Sequence, residues 1–512
     1  MTTDSSPEQP TAQTTSGAVR GTRRADGSVA FLGIPFAEPP TGARRFQAPE
    51  PKAPWDGLLD ATAYGATPQR KAMAEITTIP EPSIPGDSTL NVNVFTPDPT
   101  PAADSADLPV LVWIHGGGFI AGSPASPWYD GRAFNRDGVV TVSVSYRLGF
   151  DGFGWLPDAP ANRGVLDWIL ALEWVRDNIA AFGGDPQRVT IAGQSAGGGS
   201  VMTLLTVPSA QHLFQRAISV SGVPGDVPLL EAQALTGRLA EHLGVPATLA
   251  GFASVPEATL IEAQGFEVVP GGATDPESIL RGMTTMNGRL GLGPVVDGEL
   301  VVDTVEAGMA AGRGADKPLL VSATREEFAG FFTGRLDDFD AVTPTCALEL
   351  MGVPEPLAEA YVATQPGERT GLVAGRFVSD VMFRERVIRW LTLRDDAETW
   401  VSDFVWRSAV SGIAEHCLDV PFIFDVLDDP DVTRVAGPHA PQELADRIHG
   451  AVVAFVRDGS PGWSRSDRDA SGIAVFDAVE APTVEPFASA RVLAAAKRLA
   501  EAAASTTSST PV

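Results

Sequence analysis

The chain has 512 residues, 44% of them hydrophobic, which is enough for a sizeable core and excludes global disorder. A net charge of -27 excludes nucleic acid, whose phosphates need a basic face, and opposes docking on anionic membrane surfaces. Two cysteines, Cys346 and Cys417, cannot frame a disulfide-held fold.

In chain order, the opening "MTTDSSPEQPTAQTTSG" is polar and acidic and lacks the basic and apolar regions of a signal peptide. No apolar run reaches the ~20 residues of a membrane helix. A cytoplasmic location, away from membranes, is therefore expected. Residues 1–17 and 499–512 read as disordered tails around one catalytic domain, 18–498.

Within that domain short apolar runs recur: "LPVLVWIH" (108–115), "VVTVSVSY" (139–146), "RVTIAG" (188–193), "KPLLVSAT" (317–324) and "TWVSDFV" (399–405). Rich in Val and Ile and bounded by Gly, Pro or Asp, they suit strands buried on both faces of a mostly parallel sheet. Between two of them lies 162–182, where Val165, Leu166, Ile169, Leu172, Val175, Ile179 and Phe182 recur at helical spacing before "GGDP" ends the helix. Strand, helix and strand in alternation predict an α/β sandwich. Residues 226–285 and 336–397 read as helical insertions covering one edge of the sheet.

The chemistry centres on "VTIAGQSAGGGS" (189–200), where Ser195 stands between Gly193 and Gly197, after a buried strand and before a helix-forming run. That is the setting of a nucleophile elbow, with the amide of Ala196 turned toward a developing oxyanion. "HGGGF", His115 to Phe119, follows the strand "VLVWI" and offers further amides with no Cβ in the way. His115 itself reads as a residue that orients this loop. A phosphate-cradling loop is disfavoured, because no Gly-Lys-Ser/Thr follows.

An activated serine needs a base and an acid that orients it, in the chain order Ser, Asp/Glu, His. Downstream histidines are His416, in "SGIAEHCLDVPFIF", His439 in a loop, and His449 in mid-helix. The acid should end an earlier strand, and "PLLVSATREEF" offers Glu326 and Glu327.

Three long stretches now carry a resemblance. "FLGIPFAEPPTGARRFQAPEP" (31–51), the run 162–198 into the nucleophile, and "GPVVDGEL" (293–300) resemble the type-B carboxylesterases, the bacterial para-nitrobenzyl esterase group related to cholinesterases. The resemblance extends from about residue 18 to 498. It implies an α/β-hydrolase fold, a mostly parallel central sheet flanked by helices, with large helical insertions over the active site. It also implies Ser195 as nucleophile, His416 as base, Glu327 as acid, and the amides of Gly117, Gly118 and Ala196 as oxyanion hole. A small-molecule ester as substrate, no metal or cofactor, and a monomer or homodimer are the corresponding expectations.

The departures from the family pattern are specific. Phe328 replaces the glycine after the acid, Gln194 stands where relatives often have Glu, and Thr89 replaces a cysteine of the family's first disulfide. Cys417 reads as a packing residue. Pocket residues are expected in the insertions and loops, with Phe119, Phe331 and Phe332 near the site. Carbamate or amide hydrolysis on the same machinery is the nearest alternative. A non-catalytic, partner-binding member of the fold is a more distant one, since such proteins typically lose the serine or histidine that stand here.

Overall fold

The computed structural model describes residues 9–68, 77–99, 107–264, 275–283, 290–479 and 485–508. Its centre is a ten-stranded sheet, β1 (Thr22–Arg23), β2 (Val29–Pro35), β3 (Asn91–Thr96), β4 (Leu108–Ile114), β5 (Val140–Val144), β6 (Gly184–Gln194), β7 (Arg216–Val220), β8 (Leu319–Thr324), β9 (Thr399–Phe404) and β10 (Ala474–Phe476). The spatial order is β10-β9-β8-β7-β6-β4-β5-β3-β2-β1. Every pair from β10 to β5 is parallel, and β3, β2 and β1 extend the sheet antiparallel. All five apolar runs read as strands lie in the parallel part. Their Val and Ile side chains are buried because helices cover both faces of such a sheet.

Helix α1 (Arg163–Asn178) continues as a short 3-10 turn to Phe182, where Gly183 takes a left-handed φ of 83° and stops it. Val165, Leu172, Val175, Ile179 and Phe182 are buried as the periodicity requires, whereas Leu166 and Ile169 are half-buried. Trp168 takes the deeper place, and Asp167 is buried because Arg147 pairs with it at 2.7 Å. Helix α2 (Ala196–Thr206) is buried along its whole length, and its three leading glycines let it lie close against the sheet.

The second insertion contains helix α3 (Thr370–Ser379) and reaches the strand ends where Phe383 touches His416, while its Val387, Ile388 and Leu391 pack into the core of the sheet. The first insertion is helical at Leu229–Leu243, Leu249–Ala253, Glu257–Ala263 and Pro276–Gly282, while 265–274 and 284–289 lie outside the described residues. Helix α4 (Gln442–Asp458) follows the His416 segment in the chain, and α5 (Ala488–Ser508) closes the described fold.

Both expected tails need correction. Residues 1–8 and 509–512 lie outside the described residues. Thr11–Gln13, however, pair antiparallel with Ala18–Arg20, a strand gained because Ala12 and Thr14 become buried. At the other end α5 runs past 499, because "LAEAAAS" consists mainly of strong helix formers. Among the described residues no helix is long and apolar enough to cross a membrane.

Candidate active site

Three strand ends converge on Ser195. β6 ends at Gln194, β4 ends at Ile114 beside Gly193, and β8 ends at Thr324 two strands away. Ser195 has φ 59° and ψ -123°, a conformation that costs a non-glycine residue on the order of 1–3 kcal/mol and persists only where its surroundings impose it. They do so here: the Ser195 amide donates to Val220 O at 2.9 Å, and its carbonyl accepts from the amides of Gly199 and Val223. The flanking glycines have no alternative. A Cβ on Gly193 would meet Gly197 at 2.5 Å, and one on Gly197 would meet the Ile114 carbonyl at 2.0 Å.

The loop after β4 lies against the same turn. A Cβ on Gly116 would come within 3.1 Å of Ser195 Cβ, so this loop and the serine are in contact distance. Gly117 and Gly118 have φ of 113° and 61°, left-handed values that glycine alone adopts freely. Among the described residues the amides of Gly117, Gly118 and Ala196 have no backbone acceptor. His115, fully buried, sets the loop: its Nδ1 lies 2.8 Å from Gly116 O, and its ring stacks on Tyr146 at 4.5 Å. Burial lowers its pKa to about 4 against the opposing pull of the Gly116 carbonyl, so the ring stays neutral and donates through Nδ1.

His416 and Glu327 meet directly, Nδ1 to Oε2 at 2.5 Å. Glu327 is held by the Thr324 amide on its Oε1 at 2.8 Å, and the His416 amide donates to Glu327 O at 3.0 Å. Burial opposes the imidazolium, but the Cys417 sulfur and the Glu327 carboxylate favour it more strongly and leave the His416 pKa well above its ordinary value. On the other ring nitrogen, Gln194 Nε2 lies 3.2 Å from His416 Nε2 and 3.1 Å from Cys417 Sγ. In the neutral ring whose proton sits on Nδ1, facing Glu327, Nε2 accepts from the Gln194 amide. No hydrogen bond joins Ser195 Oγ to the imidazole in this arrangement; the Gln194 amide occupies that lone pair.

The remaining candidates separate cleanly. Glu326 turns away from His416 into a cluster with Arg376 and Arg407. His439 is exposed, and His449 bridges Ile423 O and Asp137 from inside the fold. Of the aromatic residues expected near the site, Phe119 is fully buried against Phe153 and Trp168 and presents no free face. Phe332 packs inward on Phe339, because adjacent residues on the short helix Gly330–Thr333 point to different sides. Phe331 is half exposed and rests on Phe328.

The aromatic rings that touch His416 are Phe328, edge-on at 5.2 Å, and Phe383 at 4.8 Å. Phe328 was visible in the sequence only as a missing glycine. Its φ is not positive, so the backbone there does not need glycine and a ring fits. Phe383 had no signal. Asp419, three residues past His416, was also missed; it is buried, and one of its oxygens has no hydrogen-bond partner among the described residues.

Comparison with known proteins agrees over nearly the whole chain. Residues 8–471 match the family described as "Carboxylesterase family". The para-nitrobenzyl esterase of Bacillus subtilis is 35% identical over 461 residues, covering 87% of this chain and 89% of that protein. The phenmedipham hydrolase of Pseudarthrobacter oxydans is 32% identical over 501 residues, covering 88% and 91%. Among solved structures, a carboxylesterase of Geobacillus stearothermophilus superposes with a TM-score of 0.77 at 31% identity, covering 94% and 99% of the two chains.

Proposed function

This chain belongs to the carboxylesterase family and is a carboxylic ester hydrolase, and we propose that it works through an acyl-enzyme on Ser195. The observation that carries the proposal is the 2.5 Å contact between His416 Nδ1 and Glu327 Oε2, beside a serine held in a strained turn at a helix N-terminus. Glu327 fixes the tautomer in which Nε2 carries a lone pair, the state a general base must have.

In the proposed cycle that lone pair passes from the Gln194 amide to Ser195 Oγ, whose proton it takes as the oxygen attacks the ester carbonyl. The amides of Gly117, Gly118 and Ala196 have no backbone partner of their own and receive the oxyanion. Collapse of the tetrahedral intermediate expels the alcohol, which collects the proton from Nε2. Water then repeats the sequence and frees the acid and the serine.

A turnover screen over esters, carbamates and amides, run beside Ser195→Ala as blank, tests the proposal. Ester cleavage that disappears in the variant supports it. Undiminished cleavage by a folded Ser195→Ala protein contradicts it.

A further inference from the structure

We propose that Glu326 is a positioning residue for the reaction, locking the segment that carries His416 onto the segment that carries Glu327. The inference rests on the reading of Ser195, His416 and Glu327 given above and adds a group that touches none of them through its side chain.

Glu326 is fully buried, a place where a lone carboxylate is strongly disfavoured. Its Oε1 takes a guanidinium nitrogen from Arg376 and another from Arg407, each at 2.7 Å. Burial pushes its pKa up, but Arg376 and then Arg407 outweigh this and hold it below the ordinary carboxylate value, so it stays ionised. The other oxygen, Oε2, accepts the amide of Ala414 at 2.9 Å.

That last bond reaches the histidine segment. The Glu326 amide donates to Ala414 O at 2.9 Å, and the His416 amide donates to Glu327 O at 3.0 Å. Besides the Glu327–His416 contact itself, two backbone bonds and one charged side-chain bond therefore stitch 326–327 to 414–416, and of these three only the side-chain bond is open to substitution. The clamp reaches further. Arg376 lies on α3 in the second helical insertion, and Glu368 of that insertion pairs with Arg376 at 3.4 Å and with Arg407 at 3.6 Å. The frame of the imidazole is thus tied to the insertion that also brings Phe383 onto its ring.

Without the Glu326 charge, Arg376 faces a neutral amide and the 414–416 segment loses its charged anchor. A displacement of about 1 Å in a reacting group costs rates on the order of a hundredfold, with little effect on ground-state binding.

The test uses the full chain with Glu326→Gln, Glu326→Asp and Glu327→Gln, each checked for folding by near-UV circular dichroism. Glu326→Gln is expected to lower kcat about ten- to a hundredfold with KM nearly unchanged. It should also shift or broaden the far-downfield proton resonance of the His416–Glu327 hydrogen bond. Glu326→Asp, which keeps the charge, should recover part of both. A folded Glu326→Gln protein with wild-type kcat and an unchanged resonance overturns the inference, whatever its thermal midpoint. Should that variant not fold, Arg407→Gln, at the half-exposed end of the clamp, decides in the same way. Full turnover by Glu327→Gln would instead overturn the underlying reading.

Discussion

Gln194 Nε2 lies 3.2 Å from His416 Nε2, on the ring edge opposite Glu327. A neutral donor therefore stands where a carboxylate would hold an imidazolium. Because the base must be neutral, kcat/KM rises with pH through the His416 pKa, which already lies above its ordinary value. Gln194→Glu adds a negative charge at that distance, favours imidazolium, and should move the acid limb up by about one pH unit, roughly 1.4 kcal/mol. Paired pH–rate profiles on one uncharged ester at fixed ionic strength measure it. An unmoved limb, or one displaced to lower pH, would show that residue 194 does not act on the imidazole.

Glu327→Gln removes the acceptor of the Nδ1 proton and permits the wrong tautomer. Single-turnover kinetics should show a loss of several orders of magnitude, about 10⁴-fold in kcat. The loss from Glu326→Gln should be much smaller. If the two ranked the other way, the register of "TREEF" against the histidine would be wrong by one.

Residue type left Glu326 and Glu327 open, and the resemblance pointed to Glu327; in the fold Glu327 meets the imidazole and Glu326 turns to Arg376 and Arg407. Ser195 was legible in the residues themselves: the tight turn excludes a Cβ at Gly193 and Gly197, and that demand is written into the residue types. His416 was harder. Residue type and chain order left three histidines, the resemblance pointed to His416, and the folded surroundings set the exposed His439 and the core-bound His449 apart from it. Phe119 shows the converse failure. An aromatic residue after a glycine run suits a pocket wall or a core equally well, and the contacts with Phe153 and Trp168 decide for core. Phe383 reaches the site by long-range packing, which no local pattern encodes.

Asp419 provides a stability test. Burial first, and then Glu327, push its pKa from 3.8 up to about 7, with His416 pulling the other way. Between those values the folded chain holds more protons at this site than the unfolded one, so stability falls as pH rises through the window. Asn cannot ionise. The thermal midpoint of Asp419→Asn relative to wild type should therefore climb from about pH 4 to pH 7 and level off, an effect on the order of a few kcal/mol. A midpoint difference that is flat with pH would show that the carboxyl is not held protonated.

Ser195→Ala and His416→Ala should each nearly abolish turnover, and the double variant should be scarcely worse than either, since a nucleophile and its base act as a unit. Multiplicative losses would contradict that cooperation. His439→Ala, on an exposed loop, is the control and should turn over normally.

The central claim is that Ser195 carries the acyl group, and covalent labelling tests it most directly. A fluorophosphonate reacts with an activated serine hydroxyl, and at neutral pH an ordinary one is inert to it. Intact-mass and peptide mass spectrometry of the labelled protein should find a single adduct, on Ser195, with activity lost in proportion to labelling. An adduct on any other residue, or full activity in a protein fully labelled at Ser195, would contradict the account.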